Sequence, residues 1–153
     1  MSKIIYTDAE AFRTMQACAF KWGTELEDVI PADMQQAMFG ENVILVHNEA
    51  RCNLSGEELD AIIAHEQAHI DLGHTELDYP SLSQEEKVKL EFEADAHAIK
   101  TVSGIHLVSG MQRVIGLIVT AAVDNGTVSV EDKESFSDFI NSLNKARIEA
   151  LLK

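Results

Sequence analysis

The chain has 153 residues, the size of one ordinary domain, and its 46% hydrophobic content is enough for a single core. With 2 prolines, 8 glycines and 25% charged residues it falls outside the disordered and fibrous classes. The 26 acidic against 12 basic side chains leave a formal charge of -14, which repels phosphate backbones and anionic lipid surfaces and argues against nucleic acid as a partner.

The opening residues, Met1 to Asp8, lack the apolar run and small-residue cleavage site of a secretory signal, so the expected location is the cytoplasm. Thr7 with Glu10 has the form of a capping box, and Phe12, Met15, Ala19 and Trp22 follow at helical spacing, predicting a helix over Asp8 to Trp22. A helical turn is expected from Pro31 to Phe39, closed by Gly40. Val43 to His47 is an apolar, β-branched run with the signature of a strand. Cys18 falls in a helical pattern and Cys52 in an expected loop, with no CxxC, which favours two separate thiols over a disulfide.

Ser55 and Glu58 form a second capping-box pattern, and Leu59, Ile62, Ile63 and Ile70 continue a helix that ends near Gly73. Ser83 and Glu86 open another, which runs through Leu90, Ala94 and Ala98 towards Gly104. Two more helices fit Ile105 to Val123 and Glu131 to Leu152, the latter with Phe136, Phe139, Ile140 and Leu143 on one side. The run Val114 to Val123 covers about half of the roughly 20 residues a membrane span needs, so it reads as a core helix. The expected architecture is one α+β domain, 1-153, mostly helical with a small sheet.

Inside the histidine-bearing helix stands His65-Glu66-Gln67-Ala68-His69, an HExxH motif. Residues four apart share a helix face, so both imidazoles can reach one zinc ion, while Glu66 points about 100° further round. From there its carboxylate can act as general base on the attacking water. A catalytic zinc generally takes a third protein ligand. His74 follows His69 too closely to close the site easily, and Thr75 stands where the longer HExxHxxGxxH pattern needs a histidine. Glu91 is the better third ligand, with Asp95 on the same face to accept the second ring proton of a ligand histidine. Ala94 between them lets the two helices approach closely. This assignment requires Glu91 within about 8 Å of the imidazole pair, given ligand bonds of about 2 Å.

With His65-Glu66-Gln67-Ala68-His69 followed by Glu91, Ala94 and Asp95, the chain resembles the gluzincin metallopeptidases, particularly the family of CAAX-prenyl and heat-shock membrane proteases. Leu54 to Glu66 is similar to the family's segment leading into its metal-binding helix, and Ile44 to Val46 falls where its substrate-side strand stands. The similarity spans Val43 to Ala98. It implies a zincin-like fold and an edge strand that pairs with an extended peptide, with cleavage internal to a polypeptide. With His69 and Glu91 only 22 positions apart, the chain is most similar to compact, minimal gluzincins without membrane insertion. For the tetrahedral oxyanion the residues offer His97, His106, Arg113 and Tyr79 without choosing among them. Glu93 reads as part of a solvated face. The rival reading is a non-catalytic zinc-stabilised binding or inhibitor protein, in which His74 or His97 supplies a fourth ligand.

Overall fold

The computed structural model describes residues 3–7, 42–78, 81–124 and 126–153; the expected helices over 8–22 and 31–39, with Cys18 and Tyr79, lie outside the described residues. The described elements run in the order β1 (Lys3–Thr7), β2 (Val43–His47), α1 (Asn48–Asn53), α2 (Gly56–Asp71), a 3-10 turn (His74–Glu76), α3 (Gln84–Ala98), α4 (Gly104–Asp124) and α5 (Lys133–Leu151). The protein is thus mostly helical with a small parallel sheet.

β2 is the strand that the β-branched run predicts, and its Val43, Ile44 and Val46 are buried. Its partner β1 lies parallel to it, with Lys3 opposite Val43 and Thr7 opposite His47. β1 joins Ile4, Ile5 and Tyr6 to that pairing, a strand assigned no role by the sequence pattern because its partner is distant along the chain. The sheet ends where His47 Nδ1 accepts the Glu49 backbone N–H at 3.0 Å and caps α1. Cys52 therefore sits on a short helix, not in the expected loop, as an exposed free thiol.

The capping box at the start of α2 is complete: Ser55 Oγ accepts the Glu58 N–H at 3.1 Å, and Glu58 Oε1 accepts the Ser55 N–H at 2.9 Å. Its other carboxylate oxygen, Oε2, accepts the Ser109 hydroxyl and, at 2.9 Å, Arg113 Nε, so one glutamate both starts α2 and ties it to α4. These contacts, the Ser109 hydrogen bond foremost, hold the Glu58 carboxyl down at about 2 against the opposing effect of burial.

α2 turns Ala61, His65, Glu66, Ala68 and His69 inward, leaving Ile62 and Ile63 only partly buried. The core cluster of Ala61, Ala68, Ala94, Ala98, Leu107 and Met111 is built largely from alanines, which bring α2 close to α3 and α4. At Gly110 α4 comes close to α2, because a β-carbon there would lie 2.9 Å from Ile62 Cγ1 and 3.1 Å from the Glu58 carbonyl oxygen.

α4 has 21 residues and is longer than its most apolar stretch suggests; by length and composition it could cross a membrane. In the fold it buries Leu107, Val108, Met111, Ile115 and Val119 and packs between α2 and α5, as a core helix does. α5 is rotated from the expected face: Phe139 and Leu143 are exposed, and Phe136, Ile140, Arg147 and Ile148 are among its partly buried positions.

Candidate metal centre

Three side chains from two helices converge between α2 and α3. His65 Nε2 lies 3.1 Å from His69 Nε2 and 3.1 Å from Glu91 Oε2, while His69 Nε2 lies 3.5 Å from Glu91 Oε1. Helical spacing accounts for the first pair, with the imidazole rings nearly perpendicular at 87°. The alanine contact between α2 and α3 accounts for the third member, since Ala94 and Ala98 are buried one turn and two turns beyond Glu91.

Ligands about 2.0 to 2.1 Å from a shared centre at near-tetrahedral angles stand about 3.3 Å apart; the two imidazole nitrogens are 3.1 Å apart, and each has a different oxygen of the Glu91 carboxylate nearby, at 3.1 and 3.5 Å. His65 and His69 are buried and Glu91 is half-buried. The electrostatics also suit a cation. Burial pushes the His65 imidazole down, but Asp95, Glu91 and Glu66 together outweigh it and raise its pKa to about 10. His69 moves the other way, lowered by its burial and by the neighbouring imidazoles in spite of Glu91. The carboxylates of Asp95, Glu91 and Glu66 thus favour positive charge at this point, which a metal cation would also supply.

Each histidine has a partner on the far side of its ring. His65 Nδ1 lies 2.9 Å from Asp95 Oδ1, the contact expected from the motif. Asp95 is gripped in turn by Arg147 of α5, whose Nε and Nη2 donate to Oδ2 and Oδ1 at 2.8 Å each. Burial raises the Asp95 carboxyl, but Arg147 and His65 prevail and hold it below the usual carboxylate range. Arg147 Nη1 also donates to Asn144 Oδ1 at 3.1 Å and stands 3.4 Å from Glu91 Oε2. One guanidinium thus binds the Asp95 carboxylate and faces that of Glu91.

On the His69 side, Nδ1 lies 2.9 Å from His74 Nδ1, and His74 Nε2 lies 3.1 Å from Glu93 Oε2. Glu93 is therefore more than a solvated residue, although its side chain remains 44% exposed. His74 backs a ligand from outside the cluster. His97 is drawn to Asp71, 3.5 Å away on α2, Arg113 is committed to Glu58, and His106 is exposed at the start of α4. Of the cations considered for the site, these three are placed elsewhere. Among the described residues it is Arg147, outside that set, that stands beside the cluster.

Fold and cluster together define a mostly helical α+β protein with a small parallel sheet and a buried His–His–Glu group able to hold a metal ion. Comparisons with protein-family models, curated proteins and solved structures find no match in any of the three.

Proposed function

We propose that the chain is a zinc-dependent metalloendopeptidase of compact, zincin-like gluzincin type, acting on peptide or protein substrates in the cytoplasm. The observation that carries the proposal is the convergence of His65, His69 and Glu91 in one cluster, directly beside the buried Glu66. When bound there, zinc supplies Lewis acidity, lowering the pKa of a ligated water from about 15.7 towards about 7 and polarising a carbonyl oxygen. Glu66 takes the proton of the attacking water on its carboxylate and returns it to the leaving amine. Asp95 and His74 keep the two ligand rings turned with Nε2 inward, which removes the need to reorganise them during turnover.

The donor set of two imidazoles and one carboxylate is the kind that leaves a coordination position for substrate. His74 and His97, the side chains able to close that position in a purely structural site, are occupied with His69, Glu93 and Asp71 instead. This favours catalysis over metal-stapled binding.

The test is cleavage of a quenched-fluorescence peptide library by the purified protein, with zinc content measured in parallel. Cleavage should stop with a zinc chelator and return with added zinc. Glu66→Gln should retain stoichiometric zinc while losing about 10²- to 10⁴-fold in rate, the usual share of general acid–base catalysis. Wild-type rates in Glu66→Gln, or indifference to the chelator, would refute the mechanism. Zinc bound without cleavage of any peptide would favour the non-catalytic reading.

A further inference from the structure

We infer that His74 and Glu93 are positioning residues of the metal centre, forming a one-way hydrogen-bond relay that orients His69. The inference rests on the metal-site reading above and adds to it a pair of residues outside the HExxH and Glu91–Asp95 patterns.

Two ring nitrogens 2.9 Å apart, His69 Nδ1 and His74 Nδ1, share one proton. A neutral imidazole carries a single N–H, so a His69 whose Nε2 lone pair faces the cluster must hold its proton on Nδ1. His69 Nδ1–H then donates to His74 Nδ1. That leaves the His74 proton on Nε2, 3.1 Å from Glu93 Oε2, and an ionised carboxylate there can only accept. Each link has one donor and one acceptor, and the carboxylate end sets the direction. The relay selects the His69 tautomer that a metal needs.

Local backbone geometry makes the relay. Gly73, in the left-handed region at φ 75, ends α2, and the 3-10 turn His74–Glu76 folds His74 back against the ring it follows by five positions. His74 is buried there at 4% exposure. Glu93 reaches it from α3, two positions past Glu91, so the helix that supplies the ligand carboxylate also anchors the relay. His65 is held separately, by Asp95 and Arg147. The two ligands therefore have independent supports, one ending on a cation and one on an anion.

The experiment measures zinc affinity by competition with a fluorescent chelator, and reads histidine tautomers by long-range proton–nitrogen NMR on the zinc-loaded protein. The variants are His74→Phe, which removes the acceptor, His74→Asn, which restores one through its amide oxygen, and the surface change Glu93→Ala. His74→Phe should weaken zinc binding by about 10- to 100-fold, the usual cost of losing an outer partner, with His74→Asn recovering most of it. Glu93→Ala should fall near the lower end of that range, because the His74 Nε2–H loses its carboxylate acceptor. A His74→Phe affinity within about twofold of wild type, or His74→Asn as weak as His74→Phe, would overturn the relay. If His74→Phe does not fold, Glu93→Ala decides, and an unchanged affinity there refutes it. Absence of zinc binding by the wild type would overturn the metal-site reading itself, whereas binding that ignores these substitutions overturns the relay alone.

Discussion

Replacing Arg147 with methionine keeps most of the side-chain volume and removes the charge that holds Asp95. The Asp95 side chain is 4% exposed and that of Arg147 is 12% exposed, and two hydrogen bonds of 2.8 Å join them. Breaking such a buried pair from one side generally costs 3 to 5 kcal/mol, and slight wetting at Arg147 puts this case near the lower end, about 3 kcal/mol. For a domain of this size each kcal/mol lowers Tm by roughly 2 to 4 °C, so Arg147→Met should melt about 6 to 12 °C below wild type. Circular dichroism of the metal-free proteins at neutral pH measures this directly. Asp95→Asn removes the stranded charge, so the double variant should recover at least about 0.5 kcal/mol relative to the sum of the single losses. A loss under about 2 °C for Arg147→Met, or strict additivity in the double variant, would show that the pair is not coupled as the geometry requires.

Gly110→Ala forces a methyl group into the α2–α4 contact, 2.9 Å from Ile62 Cγ1, and should destabilise by about 1 to 3 kcal/mol in a urea titration with unchanged slope. Acid stability should depend on Glu58, whose carboxyl is depressed in the folded protein from 4.5 to about 2. Its contribution is complete above about pH 4.5 and disappears as the pH falls towards 2, because the unfolded chain takes up the proton first. The Tm difference between wild type and Glu58→Gln should therefore be constant at neutral pH and shrink through that window. A difference that persists unchanged at pH 2 would assign the effect to shape instead of charge.

Much of this arrangement is legible in the residues because it depends on local rules. Helical periodicity and the Ser55–Glu58 pair define α2 closely, and the spacing of 65, 66 and 69 fixes which side chains share a face. Glu91 and Asp95 follow from the same spacing, with Ala94 as the clue that α3 approaches closely. What escapes depends on distant contacts or on single backbone angles. β1 is a strand through its pairing with β2, and α1 is short and buries no side chain, so neither has strong periodicity. His74 looks too close to His69 to be useful until Gly73 turns the chain back; a glycine followed by histidine at a helix end was the available signal. Arg147 had one as well: it stands at helical spacing with Phe136, Ile140, Asn144 and Ile148, all partly buried in α5, and a cation within such a stripe needs an anion opposite.

The donors at 65, 69 and 91 lie within a single helical hairpin, with a bend at Gly73 between them. An ion held by both arms acts as a reversible cross-link, removing freedom from the unfolded hairpin much as a covalent bridge would. Free ion at about 100 times its dissociation constant adds about 2.7 kcal/mol to the folded form. On the proposed metal reading, metal supply would set more than occupancy: it would determine how long the α2–α3 pair resists opening, and hence how readily a protease cleaves the chain when the ion is scarce.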